Sequence, residues 1–186
     1  FPVPEMFERN VYQYDLEAND FLLDYQGRLV IDWGNAAVAW HQKATNPKKI
    51  IAVNSQDFVG YDNLILSFGQ LKDIVKKPNV YDKYISALSA VKAVYLIADR
   101  KTGKQYIGSA TGSDGLFGRW KEYVKTFHGG NSGIRDYLAI SSDSYKDFQF
   151  SILQIFSMNE SKEKILNCEA LWKNKLLTKD FGLNDN

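Results

Sequence analysis

The feature of this sequence that most constrains its fold is a pair of strand-like segments separated by a short polar turn. Residues 92–112 read KAVYLIADRKTGKQYIGSATG, in which AVYLIA and KQYIGSA flank a Lys-Thr-Gly-Lys turn. Apolar, β-branched and aromatic residues on both sides of a turn that contains glycine predict a β-hairpin. With Thr102 and Gly103 at its tip, Lys101 would face Lys104.

The predicted register places two tyrosines on one face of the hairpin. Because side chains alternate across a strand, Tyr95, Tyr106 and Gly108 share that face. A loop longer or shorter by one residue would separate the tyrosines. Packing alone is the simpler explanation of the pair, but a glycine inside a strand often marks where a ligand or another backbone comes close.

The composition is that of a soluble globular protein. The chain has 186 residues, of which 45% are hydrophobic and 24% are charged, and no apolar run approaches the length of a membrane span. The single cysteine, Cys168, excludes an internal disulfide and argues against a cysteine-based zinc cluster. The segment FPVPEMFERN shows no signal-peptide pattern, so a cytoplasmic protein is the default expectation.

Charge is distributed unevenly between the two halves of the chain. Residues 1–90 hold 9 Lys and Arg against 11 Asp and Glu, whereas residues 91–186 hold 14 against 11. A mildly basic second half is compatible with a phosphate-bearing partner, although it falls short of the excess that is typical of bulk nucleic-acid binders.

The patterns predict two packed parts, residues 1–90 and residues 91–186. In the first part, RLVIDW (28–33) and KKIIAV (48–53) are strand patterns, and NAAVAWHQK lies between them as a short helix pattern. Two more helix patterns follow at 66–77 and 79–91, which makes this part an α/β subdomain. No linker rich in proline or glycine precedes residue 91, and this favours subdomains that pack together.

The second part is predicted to be α+β, with a small antiparallel three-stranded sheet flanked by helices. After the hairpin come a helix (116–127), a glycine-rich turn with a short helix (129–140), a strand (147–156) and a helix (161–177). Ser161 is the expected N-cap of the last helix. Along the first helix, Leu116, Trp120, Tyr123 and Phe127 form one apolar stripe.

A carboxylate on the last helix is the strongest single candidate for chemistry. Ile165, Trp172 and Leu176 are spaced to form a buried stripe, and Glu169 lies on the same stripe. A buried carboxylate is costly unless it is paired or binds a metal. Two explanations are open: Glu169 pairs with a lysine, or it binds Mg²⁺, which commonly uses only one or two protein carboxylates.

An arginine on the helix after the hairpin is a candidate phosphate ligand. Arg119 and Tyr123 are four residues apart and therefore neighbours on the helix surface. Arg119 lies beside the apolar stripe, where its guanidinium suits bidentate phosphate binding. A structural salt bridge explains its position equally well.

Together these residues resemble the GIY-YIG nuclease family over residues 91–186. Val94-Tyr95-Leu96 stands where the family has Gly-Ile-Tyr, and Tyr106-Ile107-Gly108 is intact. The further matches, in family order, are Arg119, Tyr123, Glu169 and Asn184. Each match alone is weak, whereas their order on the predicted elements is specific.

The resemblance implies a metal-dependent endonuclease that hydrolyses phosphodiester bonds of DNA. Glu169 would ligate Mg²⁺ or Mn²⁺, and Arg119 would stabilise the phosphate. A tyrosinate from Tyr95 or Tyr106, with Tyr123 as a further candidate, would help to deprotonate the attacking water. It needs nearby positive charge because an unperturbed tyrosine has a pKa of about 10. Arg119, the metal, Lys101 or Lys104 could supply that charge. Asn184 would hold the site together. The catalytic set implied in this way is Tyr95, Tyr106, Arg119, Tyr123, Glu169 and Asn184.

Three further residues are candidates for contact with the substrate. Lys104 would supply positive charge beside the tyrosines, and Gly108 would allow a close approach. His128, next to two glycines, would face the substrate or else have a structural role. For His41, the other histidine, a structural or surface role is the simpler interpretation.

Several alternatives are open at the level of sequence. The segment VIDWGNAAVAWHQK (30–43) combines two tryptophans with amide side chains, which suits base recognition but suits a hydrophobic core equally well. A non-catalytic nucleic-acid-binding module that retains the nuclease fold is the rival function. Tyrosines that only pack in the core are the other rival. Monomer and homodimer are both compatible with the sequence.

Overall fold

This computed structural model describes residues 56–185 and, before them, the backbone of two short strands. The chain divides into two compact units, residues 1–52 and residues 53–186. In the first unit, β1 (Leu29–Val30) pairs antiparallel with β2 (Lys49–Ile50), which confirms the strands predicted there. The helix predicted over NAAVAWHQK, with His41, lies outside the described residues. The assignment of separate roles to residues 1–90 and 91–186 stays a prediction.

The second unit is built on a four-stranded antiparallel sheet in the order β3-β6-β4-β5. Its strands are β3 (Ile65–Ser67), β4 (Lys92–Asp99), β5 (Gln105–Ala110) and β6 (Phe148–Phe156). The prediction of three strands missed β3 because this edge strand has only three residues, of which Leu66 is buried and Ile65 is 60% exposed. So short a segment shows no alternation that distinguishes it from the start of a helix.

Within residues 56–185, five helices surround this sheet. They are α1 (Phe68–Lys76), α2 (Asp82–Ser89), α3 (Gly115–Thr126), α4 (Ser132–Ile140) and α5 (Lys162–Leu176), and a short 3₁₀ turn (Ser144–Asp147) precedes β6. The Ser161 hydroxyl accepts a hydrogen bond from the Lys164 amide at 3.3 Å, which confirms the predicted N-cap of α5. Within the described residues, no helix is long and apolar enough to cross a membrane.

The two faces of the sheet are covered by different helices. On one face, Tyr95 and Phe150 belong to a large core cluster that includes residues of α1, α2, α3 and α4. On the other face, Val94 and Ile107 pack with Ile165 of α5. Alternate residues of β4 and β5 therefore contact different helices, and the tyrosine face of the hairpin lies against α3.

The apolar stripe predicted for α3 holds for three of its four residues. Leu116, Trp120 and Tyr123 are completely buried, whereas Phe127 is 41% exposed, so its inclusion in the stripe was wrong. The helix ends at Thr126, and Phe127 takes a left-handed conformation with φ of 68°. This conformation turns the chain out of the helix and into the glycine-containing loop before α4.

Candidate active site

The hairpin register brings both tyrosines to the same face, as predicted. Tyr95 lies opposite Gly108, and Ile97 lies opposite Tyr106. The predicted pairs were displaced by two residues along the strand. A displacement by two leaves every side chain on its original face, so the relation between the tyrosines is preserved.

The displacement arises from the loop at the tip of the hairpin. The Asp99 carboxylate accepts hydrogen bonds from the amides of Lys101 and Thr102, at 2.7 Å and 3.1 Å. The Asp99 amide in turn donates to the Lys104 carbonyl at 2.9 Å and closes a loop of residues 100–103. The predicted pairing of Lys101 with Lys104 was therefore wrong, because an aspartate side chain stabilises a longer turn.

Gly108 lies beside the rings of both Tyr95 and Tyr106. A Cβ atom at this position would lie 2.5 Å from the Tyr95 hydroxyl oxygen and 2.9 Å from Cε1 of Tyr106. The glycine therefore makes room for the Tyr95 hydroxyl, which is a direct physical reason for a residue without a side chain in a strand. Its contact with substrate stays a prediction.

Arg119 of α3 forms hydrogen bonds with the hydroxyls of Tyr95 and Tyr123. Its Nε donates to the Tyr95 hydroxyl at 3.0 Å, and its Nη2 reaches the Tyr123 hydroxyl at 3.4 Å. The hydroxyls of Tyr95 and Tyr123 are themselves 3.0 Å apart. Arg119 Nη1 donates to the Gly129 carbonyl at 2.7 Å, which fixes the guanidinium at the end of the helix.

Burial raises the pKa of all three tyrosines in this cluster. For Tyr95, the Arg119 charge and hydrogen bonds from Tyr123 and Arg119 oppose that increase in pKa. For Tyr123, the hydrogen bond to Tyr95 raises the pKa further. The anionic form of Tyr95 would receive two hydrogen bonds, one from Arg119 and one from Tyr123.

The sequence did not identify Asn131, whose side chain lies at the centre of the cluster. Its Oδ1 accepts from the Tyr106 hydroxyl at 2.7 Å, and its Nδ2 donates to the Tyr123 hydroxyl at 2.6 Å. Asn131 precedes α4, where an asparagine usually indicates a helix cap. Its side chain makes no cap hydrogen bond, so the one signal in the sequence pointed to a different role.

Glu169 forms an ion pair within α5. Its Oε1 lies 2.7 Å from Nζ of Lys173, and the two side chains are 14% and 7% exposed respectively. Of the two explanations open from the sequence, a lysine partner is the one observed in this structure. The predicted buried stripe was partly wrong, because Ile165 is buried and Trp172 is partly buried but Leu176 is 37% exposed.

The carboxylate of Glu169 affects the pKa of two tyrosines. Although burial has a larger effect on both, the carboxylate contributes to the raised pKa of Tyr95 and Tyr106. The helix that carries Glu169 packs through Ile165 on Val94 of β4 and Ile107 of β5.

Glu169 could serve as a ligand of a divalent ion that binds few protein groups. No group of three or more His, Cys, Asp or Glu residues occurs among the described residues. Mg²⁺ keeps several waters and often binds one or two carboxylates plus substrate phosphates. Glu169 fits this requirement because its carboxylate is partly exposed, but an ion there would share it with the Lys173 ammonium.

Asn184 connects the end of the chain to the edge strand β5. Its Oδ1 accepts from the Ile107 amide at 2.9 Å, and its Nδ2 donates to the Ile107 carbonyl at 2.8 Å. The neighbouring Leu183 amide donates to the Gln105 carbonyl at 2.8 Å. These bonds satisfy the outward-facing groups of an edge strand that carries Tyr106. The position agrees with a role in holding the site together.

We expect Asn184→Ala to lower the free energy of unfolding by about 2 kcal/mol, because two buried backbone groups of Ile107 would lose their partners. Urea denaturation followed by circular dichroism measures this change. The exposed Asn159→Ala is the matched control and should change stability by less than about 0.5 kcal/mol. Equal stability of the two variants would show that Asn184 does not anchor the edge strand.

The side chains of Lys104 and His128 form no hydrogen bond with the tyrosines, Arg119 or Asn131 among the described residues. Lys104 is exposed, and its ammonium lies 6.0 Å from the centre of the Tyr137 ring. The Nδ1 of the partly buried His128 accepts a hydrogen bond from the Gly130 amide at 2.9 Å and shapes the loop before Asn131. Contact of either side chain with a substrate stays a prediction.

Two openings give access to the cluster. A groove of about 450 Å³ runs between the segment 109–115 and α3, and Arg119 and Glu122 line it. A smaller cavity of about 170 Å³ is lined by Tyr106, Asn131 and Asp185. Polar groups of the site therefore face space on two sides, as a binding site requires.

The same set of elements matches a known domain. The family model of the GIY-YIG catalytic domain matches residues 91–184, which is half of the chain. The chain belongs to the GIY-YIG nuclease family. Tyr95, Tyr106 and Arg119, which the family pattern picks out along the sequence, are the residues that the fold brings into one hydrogen-bonded group.

Solved structures similar to this GIY-YIG protein include two of one catalytic domain. A mutant of the catalytic domain of intron endonuclease I-TevI is 22% identical, with a TM-score of 0.42, and the match covers 52% of this chain and 94% of that chain. The catalytic domain of homing endonuclease I-TevI is 23% identical, with a TM-score of 0.41, and covers 50% and 96%. No curated protein sequence matches the chain significantly.

Proposed function

We propose that this GIY-YIG protein is a metal-dependent endonuclease that hydrolyses phosphodiester bonds of DNA. The observation that carries the proposal is the guanidinium of Arg119, which is held by tyrosine hydroxyls and also lines the larger groove. A fixed cation beside an opening is what the developing charge of a phosphodiester in the transition state requires.

The hydrogen bonds of Arg119 leave one donor for the substrate. A guanidinium has five N–H groups. Bonds to Tyr95, Gly129, Tyr123 and Asn131 use four of them, and the one left is on Nη1. In this role Arg119 offers a phosphate oxygen a charged donor whose orientation is set before the substrate arrives, and this lowers the cost of reorganisation during the reaction.

Hydrogen bonding supports Tyr95, rather than Tyr106, as the group that accepts a proton from the attacking water. The Tyr95 oxygen receives Arg119 Nε, and the Tyr123 hydroxyl lies at the same distance of 3.0 Å. Both bonds strengthen when Tyr95 is an anion. The Tyr106 hydroxyl instead donates to Asn131 Oδ1 at 2.7 Å. The partial negative charge of that oxygen disfavours the anionic form of Tyr106.

Glu169 is the proposed metal ligand, with Mg²⁺ or Mn²⁺ as the ion. When bound, the ion would neutralise charge on the phosphate and assist departure of the 3′ oxygen. Positive charge there would also favour the tyrosinate, which burial alone disfavours. The role of the protein is to hold the carboxylate of Glu169 and to supply one charged donor, Arg119, and one proton acceptor, Tyr95.

The target of cleavage is proposed only as a class, namely DNA. Residues 1–90 would position or select the substrate, in line with the separate role predicted from the sequence. With one site per chain, cutting both strands would require a homodimer or two successive nicks, and a monomer suffices for a single nick.

A specific observation also supports a non-catalytic nucleic-acid-binding module. The Lys173 ammonium lies against the Glu169 carboxylate, and burial raises the pKa of Tyr95 and Tyr123, which favours their neutral form. Both features would be retained in a protein that binds a phosphate with Arg119 but never ionises a base. The experiment must therefore distinguish DNA cleavage from DNA binding without cleavage.

Nicking of supercoiled plasmid separates these two functions. We expect the wild-type protein to convert plasmid to the nicked form in Mg²⁺ or Mn²⁺, and to stop when EDTA removes the ion. Plain, base-modified and branched DNA serve as parallel substrates, and a gel-shift assay measures binding. Binding without cleavage on every substrate would contradict the endonuclease and favour the binding module.

A further inference from the structure

One amide side chain lies between the other polar groups of the site. Asn131 Oδ1 accepts hydrogen bonds from the Tyr106 hydroxyl at 2.7 Å and from Arg119 Nη2 at 3.1 Å. Its Nδ2 donates to the Tyr123 hydroxyl at 2.6 Å and to the His128 carbonyl at 3.1 Å. These four bonds use both lone pairs and both hydrogens of the amide, so Asn131 is fully satisfied.

The hydrogen-bond partners fix which way this amide points. Exchanging its oxygen and nitrogen would place an NH₂ group against the Arg119 guanidinium, where two donors would face each other. It would also place the amide oxygen against the His128 carbonyl, where two acceptors would meet. Only the observed orientation satisfies every partner, which is the basis on which such assignments rest.

This orientation sets the direction of the hydroxyl hydrogens around it. The Tyr123 oxygen already receives Asn131 Nδ2 and Arg119 Nη2, so its own hydrogen is directed to the Tyr95 oxygen, 3.0 Å away. The Tyr95 oxygen also accepts from Arg119 Nε. Two donors therefore converge on Tyr95, while the hydrogen of Tyr106 is committed to Asn131.

A capping role does not account for the position of Asn131. It is the N-cap residue of α4, yet its side chain forms no cap hydrogen bond. The loop before it turns through Gly129 and Gly130, which both have positive φ, of 57° and 80°. A Cβ on Gly129 would lie 2.7 Å from the Tyr123 ring. The loop is thus packed so that Asn131 faces the site rather than the helix.

We propose that Asn131 is a positioning residue that aligns Arg119 and directs the Tyr123 hydrogen to Tyr95. The inference rests on the proposed nuclease function and adds a residue to it. Both ends of the amide are needed: the oxygen holds the guanidinium and Tyr106, and the nitrogen sets the direction of the tyrosine hydrogens. An acceptor alone would hold Arg119 but would draw the Tyr123 hydrogen away from Tyr95.

Two substitutions at this position separate positioning from packing. Asn131→Ala removes both ends of the amide, whereas Asn131→Asp keeps its size and its acceptors, removes the donor and adds a negative charge next to Arg119. We expect each to lower the single-turnover cleavage rate at saturating DNA by about 10- to 100-fold, with the DNA dissociation constant of Asn131→Ala within about twofold of wild type. The exposed Asn63, away from the cluster, provides the matched controls Asn63→Ala and Asn63→Asp, which should cleave like wild type.

The aspartate variant decides the proposal if the alanine variant fails to fold. Thermal unfolding followed by circular dichroism establishes folding for each protein. A folded Asn131→Asp variant that cleaves within about threefold of the wild-type rate would overturn the proposal, because packing and acceptors alone would then suffice. The expected loss of rate in folded Asn131→Ala, which adds no charge, with an unchanged melting temperature supports positioning. If that variant does not fold, the Arg119 Nε–H exchange rate of folded Asn131→Asp takes its place.

A second measurement does not depend on activity, so failure of the nuclease function and failure of this inference are distinguishable. In wild type, the Arg119 Nε–H signal in a ¹⁵N NMR spectrum should exchange slowly with water because Tyr95 is buried. Asn131→Ala should accelerate that exchange by about 10-fold or more. Unchanged exchange would overturn the alignment of Arg119 by Asn131 even if the wild type cleaves no DNA.

Discussion

Arg119→Lys is expected to bind DNA but to cleave it about 10² to 10³ times more slowly than wild type, as observed elsewhere when one preorganised donor is removed from a developing charge. A lysine has one ammonium group and lacks the planar fork of arginine. It cannot hold Tyr95 and the Gly129 carbonyl and still offer a fixed donor to the phosphate. The loss should therefore appear in the rate at saturating DNA.

The measurement for Arg119→Lys is single-turnover cleavage, with DNA binding recorded in the same samples. Arg135→Lys is the matched control, because Arg135 is exposed on α4 and should behave like wild type. If Arg119→Lys cleaves as fast as wild type, the arginine supplies only charge and its hydrogen bonds have no part in the reaction. A loss confined to binding would instead assign Arg119 to ground-state contact.

Glu169→Gln is expected to reduce cleavage in Mg²⁺ by about 10³-fold or more, because the ion supplies several kcal/mol of charge stabilisation to the reaction. The substitution keeps the size of the side chain and removes the negative charge that an ion requires. Thermal unfolding provides a second readout, since an ion that binds the folded protein raises its melting temperature. That increase should be present in wild type and absent in Glu169→Gln.

The ion pair complicates this experiment, and a double variant resolves it. Loss of the Glu169 charge removes one ionic partner of the buried Lys173 ammonium, which lowers stability independently of any metal. Adding Lys173→Met to Glu169→Gln should recover stability without recovering cleavage. The exposed Glu163→Gln in the first turn of α5 is the matched control. Recovery of cleavage in the double variant would contradict a metal-binding role for Glu169.

Local patterns were sufficient to predict the hairpin and its two tyrosines on one face. Alternation along a strand depends only on the backbone, so Tyr95 and Tyr106 kept their relation even though the pairs were displaced. The displacement depended on the Asp99 side chain, whose bonds to two loop amides lengthened the turn. Sequence alone does not show whether an aspartate before a turn will make those bonds.

The sequence predicted individual residues of the candidate site but not the hydrogen bonds that connect them. Family order along the chain identified Arg119 and Glu169, while Asn131 has no motif and carries only the ordinary signal of a helix cap. Helical spacing placed Glu169 on a stripe with Leu176, which is in fact exposed. Spacing within one helix does not show which of its sides another element covers, so the lysine partner was only one of two explanations.

Single-turnover cleavage of one DNA duplex in ¹⁸O-labelled water by wild type and Glu169→Gln tests metal-dependent hydrolysis by this protein. We expect wild type in Mg²⁺ to release a 3′-hydroxyl and a 5′-phosphate that carries one labelled oxygen. Glu169→Gln should release almost none while it occupies the DNA equally. Equal cleavage by the two proteins, or wild-type binding without any labelled product, would show that the protein is not a nuclease that depends on a metal at Glu169.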